Sequence, residues 1–261
     1  ASAQVRGNST TTINNSTITT VYGGGEAAAV TGATKVSINS STITDVFGGG
    51  EGENAELGGE IGLKIDESTI KGNVYGGGDA GKSKQDIDID IDSTTIDYNV
   101  YGAGKGGTSD VSGNVDLTIG TETNIAKNVY GGGDQGPLLG NAIITVLEET
   151  VITDSLYGGG NNADVNGYST IRFTDNSTVT NIFGGGNNGN IGSTATMTVQ
   201  ASTVLANAYG GGNNGTVAST SKITVDGSTI GNSVFGAGKG ETASVLSSIV
   251  YFQNSSTAEY V

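Results

Sequence analysis

Hydrophobic positions along the chain fall in short alternating runs, and no stretch carries the spacing of an amphipathic helix. The pattern is cleanest in residues 161–186, 187–212 and 213–238. Each of these units opens on an Asn-rich turn followed by one aliphatic residue (Val165, Ile191, Val217). An alternating segment comes next, carrying Ile171 and Phe173, Met197 and Val199, or Ile223 and Val225. A Ser-Thr-aliphatic step follows, as in Ser177-Thr178-Val179, and an aliphatic-aromatic pair closes the unit before a run of glycines. Period 2 throughout predicts about three strands of three to five residues in each unit.

The closing motif recurs along the whole chain. Its aromatics are Tyr22, Phe47, Tyr75, Tyr101, Tyr130, Tyr157, Phe183, Tyr209 and Phe235, at intervals of 25, 28, 26, 29, 27, 26, 26 and 26 residues. A period this constant marks a stacked-repeat architecture. Four-stranded propeller blades need ~40 residues each, so the unit is too short for one. It suits one turn of a parallel β-helix, with equivalent residues stacked ~4.8 Å apart. The expected fold is therefore an all-β, right-handed parallel β-solenoid of about ten coils of ~26 residues, a rod ~48 Å long. Residues 1–261 read as a single repeat domain, with coils ending near 25, 50, 78, 104, 133, 160, 186, 212 and 238. Residues 239–261 form a terminal partial or capping coil.

Glycine supplies 46 of 261 residues without a Gly-X-Y period, so collagen is excluded. In the motif the middle glycine gives way to Ala103 and Ala237, while the first and third are glycine in every copy. They are expected to need either φ > 0 or close backbone approach at a corner. The next position is usually acidic or Asn, and Lys105 falls in that column between Asp79 and Asp134.

Charge and composition narrow the partners. Twenty-six acids against eleven bases give −15, which leaves no basic surface to neutralise phosphates, so nucleic acid is not expected. No apolar run is long enough for a membrane span. With no cysteine or histidine, disulfides, thiolate metal sites and Ser-His or Cys-His catalysis are unavailable. Parallel β-helices include polysaccharide-active enzymes, which makes such an enzyme the alternative reading. However, a groove built by long loops does not fit units whose lengths differ by only four residues. The expectation is no enzyme and no cofactor, with calcium the one candidate ion.

Motifs such as Asn-Val-Tyr-Gly-Gly-Gly-Asp at 73–79 and Ile-Gly-Asn-Ser-Val-Phe-Gly-Ala-Gly at 230–238 resemble the repeats of large secreted or wall-attached bacterial surface proteins, many from gut Gram-positive bacteria. The resemblance spans essentially the whole chain. It implies an extracellular, adhesin-like structural module and carries over no catalytic residue.

Four features remain as candidate sites. Each motif aromatic follows an aliphatic, so if those aliphatics fill the inside, the nine rings face out as a ladder; the sequence leaves open which of the two points in. Such a ladder is either a stripe for glycan or cell-surface protein binding, or a packing column over the glycine turns. The packing reading carries more weight, since tryptophan, the usual sugar platform, is absent. Asp86, Asp88, Asp90 and Asp92 share one strand face and form a candidate calcium site, although Ile91 stands where an EF-hand loop needs glycine. Gly-Ala-Gly-Lys at 102–105 and 236–239 lacks the spacing of a phosphate loop and is a corner variant. The Ser/Thr step forms a hydroxyl column with an outer threonine rank, an ice-binding pattern that Lys71, Asp97 and Leu205 interrupt. Association through the solenoid ends is a further expected contact.

Overall fold

A computed structural model describes residues 4–261; the first three positions of the expected repeat domain lie outside the described residues. The chain is an all-β parallel solenoid. Ten strands, from Ser9–Asn14 to Val245–Gln253, stack in chain order into one sheet, and every pairing is parallel. Like residues sit on like residues: Ile13 on Ile38, Ile38 on Ile65, Ile65 on Ile91, Ile91 on Ile119. Nine turns therefore connect ten layers.

The other two sides of each coil differ from three equal strands. The Ser-Thr-aliphatic step and the aliphatic-aromatic pair make a second sheet. They form either two short pieces (Thr69–Ile70 and Val74–Tyr75) or one strand (Thr42–Phe47 and Thr178–Phe183). The third side contracts to a single bridging residue per coil, in the column Val30, Leu57, Ser83, Val111, Leu138, Val165 and Ile191. The cause is local: this stretch is mostly glycine, polar and small residues around a single inward position, too little to sustain a ladder.

Alternation puts aliphatics inside. Ile87, Ile89 and Ile91 are buried while Asp88 is exposed, and the inward columns of all coils merge into one core. Where the first inward position of the long strand is polar, its hydroxyl finds a partner: Ser169 Oγ donates to the Gly184 carbonyl at 2.6 Å. Among the described residues six ion pairs lie on the outside, and all six join neighbouring coils, Lys105–Asp79 at 3.2 Å among them. Exposed pairs add little stability each, but they favour this register over slipped ones.

The glycine corner is explained by proximity and not by dihedral angle. Among the described glycines only Gly227 lies in the left-handed region, and it is not in the motif. A Cβ on the first motif glycine would instead be driven into the carbonyl oxygen of its counterpart one coil on, Gly48 into Gly76 and Gly158 into Gly184. The corner backbone keeps its ladder, with the Gly23 amide donating to the Phe47 carbonyl at 2.9 Å.

The left-handed turn sits at the opposite corner, after the long strand, on non-glycine residues: Ser40 (φ 47°), Glu67 (46°), Ser93 (46°) and Ala201 (47°), with Gly227 (57°) one coil beyond Ala201. An L-residue pays about 1–2 kcal/mol there, and alanine has no side-chain oxygen to offset it. Ala201→Gly, at an exposed site, is expected to stabilise the fold by about 1 kcal/mol, less the added chain entropy of glycine. Urea denaturation at neutral pH checks it; an unchanged or lower midpoint would refute the strain.

Candidate functional site

The aromatic ladder forms as a continuous stack. All eight steps from Tyr22 to Phe235 place ring centroids 4.7–5.0 Å apart with planes within 13° of parallel. The spacing follows from the parallel register, which lays Tyr101 directly over Tyr75 and Tyr130 over Tyr101. The rings lie outside the aliphatic core as a cluster of their own, the outcome expected if the aliphatics fill the inside. They are nonetheless buried. The seven from Phe47 to Tyr209 are 2–7% exposed, because each ring covers the faces of its neighbours. Only the terminal rings open, Tyr22 to half-burial and Phe235 to 45% exposure.

An amide column flanks the ladder two positions before the aromatics. The Asn73 backbone amide donates to Asp45 Oδ1 at 2.8 Å, that of Asn99 to Asn73 Oδ1 at 3.2 Å, and that of Asn128 to Asn99 Oδ1 at 3.1 Å. Sequence reasoning passed over this column, although Asn73, Asn99, Asn128, Asn181 and Asn207 recur at a fixed offset from the rings. Burial raises the hydroxyl pKa of Tyr75, Tyr101 and Tyr130 far above the free value. For Tyr75 and Tyr101 the nearby Asp134 carboxylate raises it further, and for Tyr130 the neighbouring tyrosines do. A glycan cannot reach the ring faces, so stacking on this stripe is confined to its two ends.

Asp86, Asp88, Asp90 and Asp92 do share one outward face, but they do not converge. Carboxylates two residues apart on a strand are separated by ~6.6 Å along it, and two of the four are held by other partners. Asp86 accepts the Asn114 backbone amide at 2.7 Å, and Asp90 pairs with Lys64 at 3.3 Å. No cluster of three or more His, Cys, Asp or Glu able to hold a metal ion exists among the described residues. That geometry lends the calcium expectation no support. The corner lysine Lys105 pairs with Asp79 and reaches back to 5.6 Å from the Phe47 ring centroid, in keeping with a corner variant.

The hydroxyl column is likewise internal. Ser68 Oγ donates to the Asp66 carbonyl at 2.7 Å and accepts the Ser41 amide of the coil before at 3.1 Å, and Ser41 and Thr94 repeat the arrangement. These hydroxyls are bonded to backbone and buried, so they cannot order water on the surface.

One feature escaped sequence reading altogether. A groove of about 580 Å³ crosses the outer edge of the long-strand sheet over six coils, between Lys35 and Tyr168, with Asp88 and Asp116 on its floor. No protein-family model matches the chain, and neither a curated protein nor a solved structure matches it. Among the described residues no helix is long and apolar enough to cross a membrane.

Proposed function

We propose that the chain is a non-enzymatic extracellular structural module of adhesin type, a stiff spacer or surface scaffold. The observation that carries this reading is the buried ring stack. The most conspicuous side chains of every repeat, together with the amide and hydroxyl columns, are committed to holding one coil on the next. Inter-coil ion pairs reinforce the same axis. Coils that contact only their neighbours make a quasi-one-dimensional body whose stiffness comes from these columns. The repeat resemblance supports an exterior location, and the −15 charge suits a solvated rod.

Pulling the chain by its ends in a force spectrometer tests the spacer. Extension should come in steps of one or a few coils, each about 90 Å of released contour, at forces well above those of thermal fluctuation. Smooth low-force extension would rule the spacer out. Release of reducing ends from any member of a polysaccharide panel would overturn the non-enzymatic part. Failure of an antibody against the chain to label intact source cells would overturn the extracellular part.

A further inference from the structure

We propose that the groove on the outer edge of the long-strand sheet binds a linear, amine-bearing oligosaccharide lying along the solenoid axis. This does not rest on the spacer reading, since a stiff rod serves as a spacer with or without a ligand groove.

The groove is built by one column of outward positions, Lys35, Gly62, Asp88, Asp116 and Ile143, in register on successive strands. It spans five inter-coil steps, about 24 Å. Gly62 makes the notch: a Cβ there would meet nothing within 4 Å, so the missing side chain is not required by packing. A strand-interior glycine weakens a sheet and is expected where something approaches the backbone. At the far end Tyr168 lines the groove and is 39% exposed.

Charge identifies the occupant. Four carboxylates, Glu60, Asp86, Asp88 and Asp116, face one ammonium, Lys35. Asp88 and Asp116 stand directly opposite each other on adjacent parallel strands, and neither has a hydrogen bond or an ion pair among the described residues. Like charges placed so are destabilising. Burial raises the Asp116 pKa, the Asp88 charge adds to the rise, and Arg172 counters it. Lacking any bonded partner, this pair differs from Asp90, which has Lys64, and from Asp86, which has Asn114. Bound ammonium groups would relieve it, whereas uronates, sulfates and phosphates are repelled. The groove crosses the strands, so its polar groups repeat once per coil. A chain of pyranose rings with an amine on each can meet that repeat, while its hydroxyls donate to carboxylates and one ring stacks on Tyr168. A peptide strand would need a free sheet edge, which this face does not provide.

The test uses a glucosamine hexamer titrated calorimetrically into the intact chain at low salt and slightly acidic pH. One saturable site is expected, weakening as salt rises from about 50 to about 300 mM. Gly62→Leu fills the notch in open space and is expected to cost roughly tenfold or more in affinity with the circular dichroism spectrum unchanged. Asp88→Asn with Asp116→Asn is expected to weaken binding similarly while raising the denaturation midpoint, which a loss of folding could not do. Absence of binding would overturn the proposal. So would equal affinity for the neutral N-acetylated hexamer, or undiminished binding by Gly62→Leu, which would mark diffuse attraction to an acidic rod.

Discussion

Gly158→Ala is expected to destabilise the solenoid by about 3 kcal/mol or more, against about 1 kcal/mol for Gly159→Ala next to it. At the first position the new methyl meets the Gly184 carbonyl oxygen one coil on and comes within 2.9 Å of Ser169 Oγ of that same next coil. Neither can yield cheaply: the Gly184 backbone is held in the corner ladder by its amide, which donates to the Tyr209 carbonyl, and its own carbonyl accepts the Ser169 hydroxyl. The coils would have to separate locally. At the middle position the nearest backbone atom is 2.8 Å away, but the fold already accommodates a methyl at the equivalent Ala103, which is fully buried. Thermal unfolding separates the two variants, with a fall of roughly 10 °C for the first and a few degrees for the second. Because neighbour contacts carry the stability of a stacked array, Gly158→Ala should also divide one transition into two, as the coils on either side uncouple. Equal effects at the two positions would mean that the glycines answer to chain flexibility and not to inter-coil distance.

That contrast shows where one-dimensional information stops. Spacing alone placed Tyr101 over Tyr75 and Lys105 between Asp79 and Asp134, because a constant period in a parallel stack leaves no freedom in what lies above what. Alternation placed Ile87, Ile89 and Ile91 inside and, with the motif aliphatics inward, the aromatics outside the aliphatic core. What it could not show is that outward rings can still be buried, since their cover comes from the next coil's ring and from an amide column. The reason for the motif glycines was also two-fold in the sequence, dihedral or proximity, and only the distance to the neighbouring carbonyl decides it. The left-handed corner went also to Glu67 and Ala201, residues with no turn signature of their own, because the stacking of adjacent coils over-determines the bend. The groove is the furthest from legibility. It depends on the outline of the coil in cross-section, and Gly62, Asp88 and Asp116 read in isolation are an ordinary solvated strand face.

The ladder makes the protein vulnerable to alkali. The sign follows from burial: Tyr75, Tyr101 and Tyr130 hold their protons in the folded state well past the pH at which the unfolded chain ionises, near 10. Below pH 10 both states are protonated and the rings contribute their full packing. Above it only the unfolded chain gains by losing protons, so stability falls with rising pH. The ideal slope is about 1.4 kcal/mol per pH unit for each such tyrosine, and less in practice because the hydroxyl rims are partly screened by water. Three strongly shifted rings, with Tyr22, Tyr157 and Tyr209 shifted the same way, predict a loss of several kcal/mol by pH 12 and a steep cooperative transition. Phenylalanine already occupies the column at Phe47, Phe183 and Phe235, so a triple Tyr75→Phe, Tyr101→Phe, Tyr130→Phe variant should keep the stack and its neutral-pH stability within about 1 kcal/mol. Its alkaline midpoint, followed by far-ultraviolet circular dichroism, should move to higher pH. The difference in tyrosinate absorbance between parent and variant should rise only together with unfolding. A difference signal growing near pH 10 while the β-sheet spectrum stays intact would show that the hydroxyls ionise in place. The rings would then be far more open to water than a sealed stack allows.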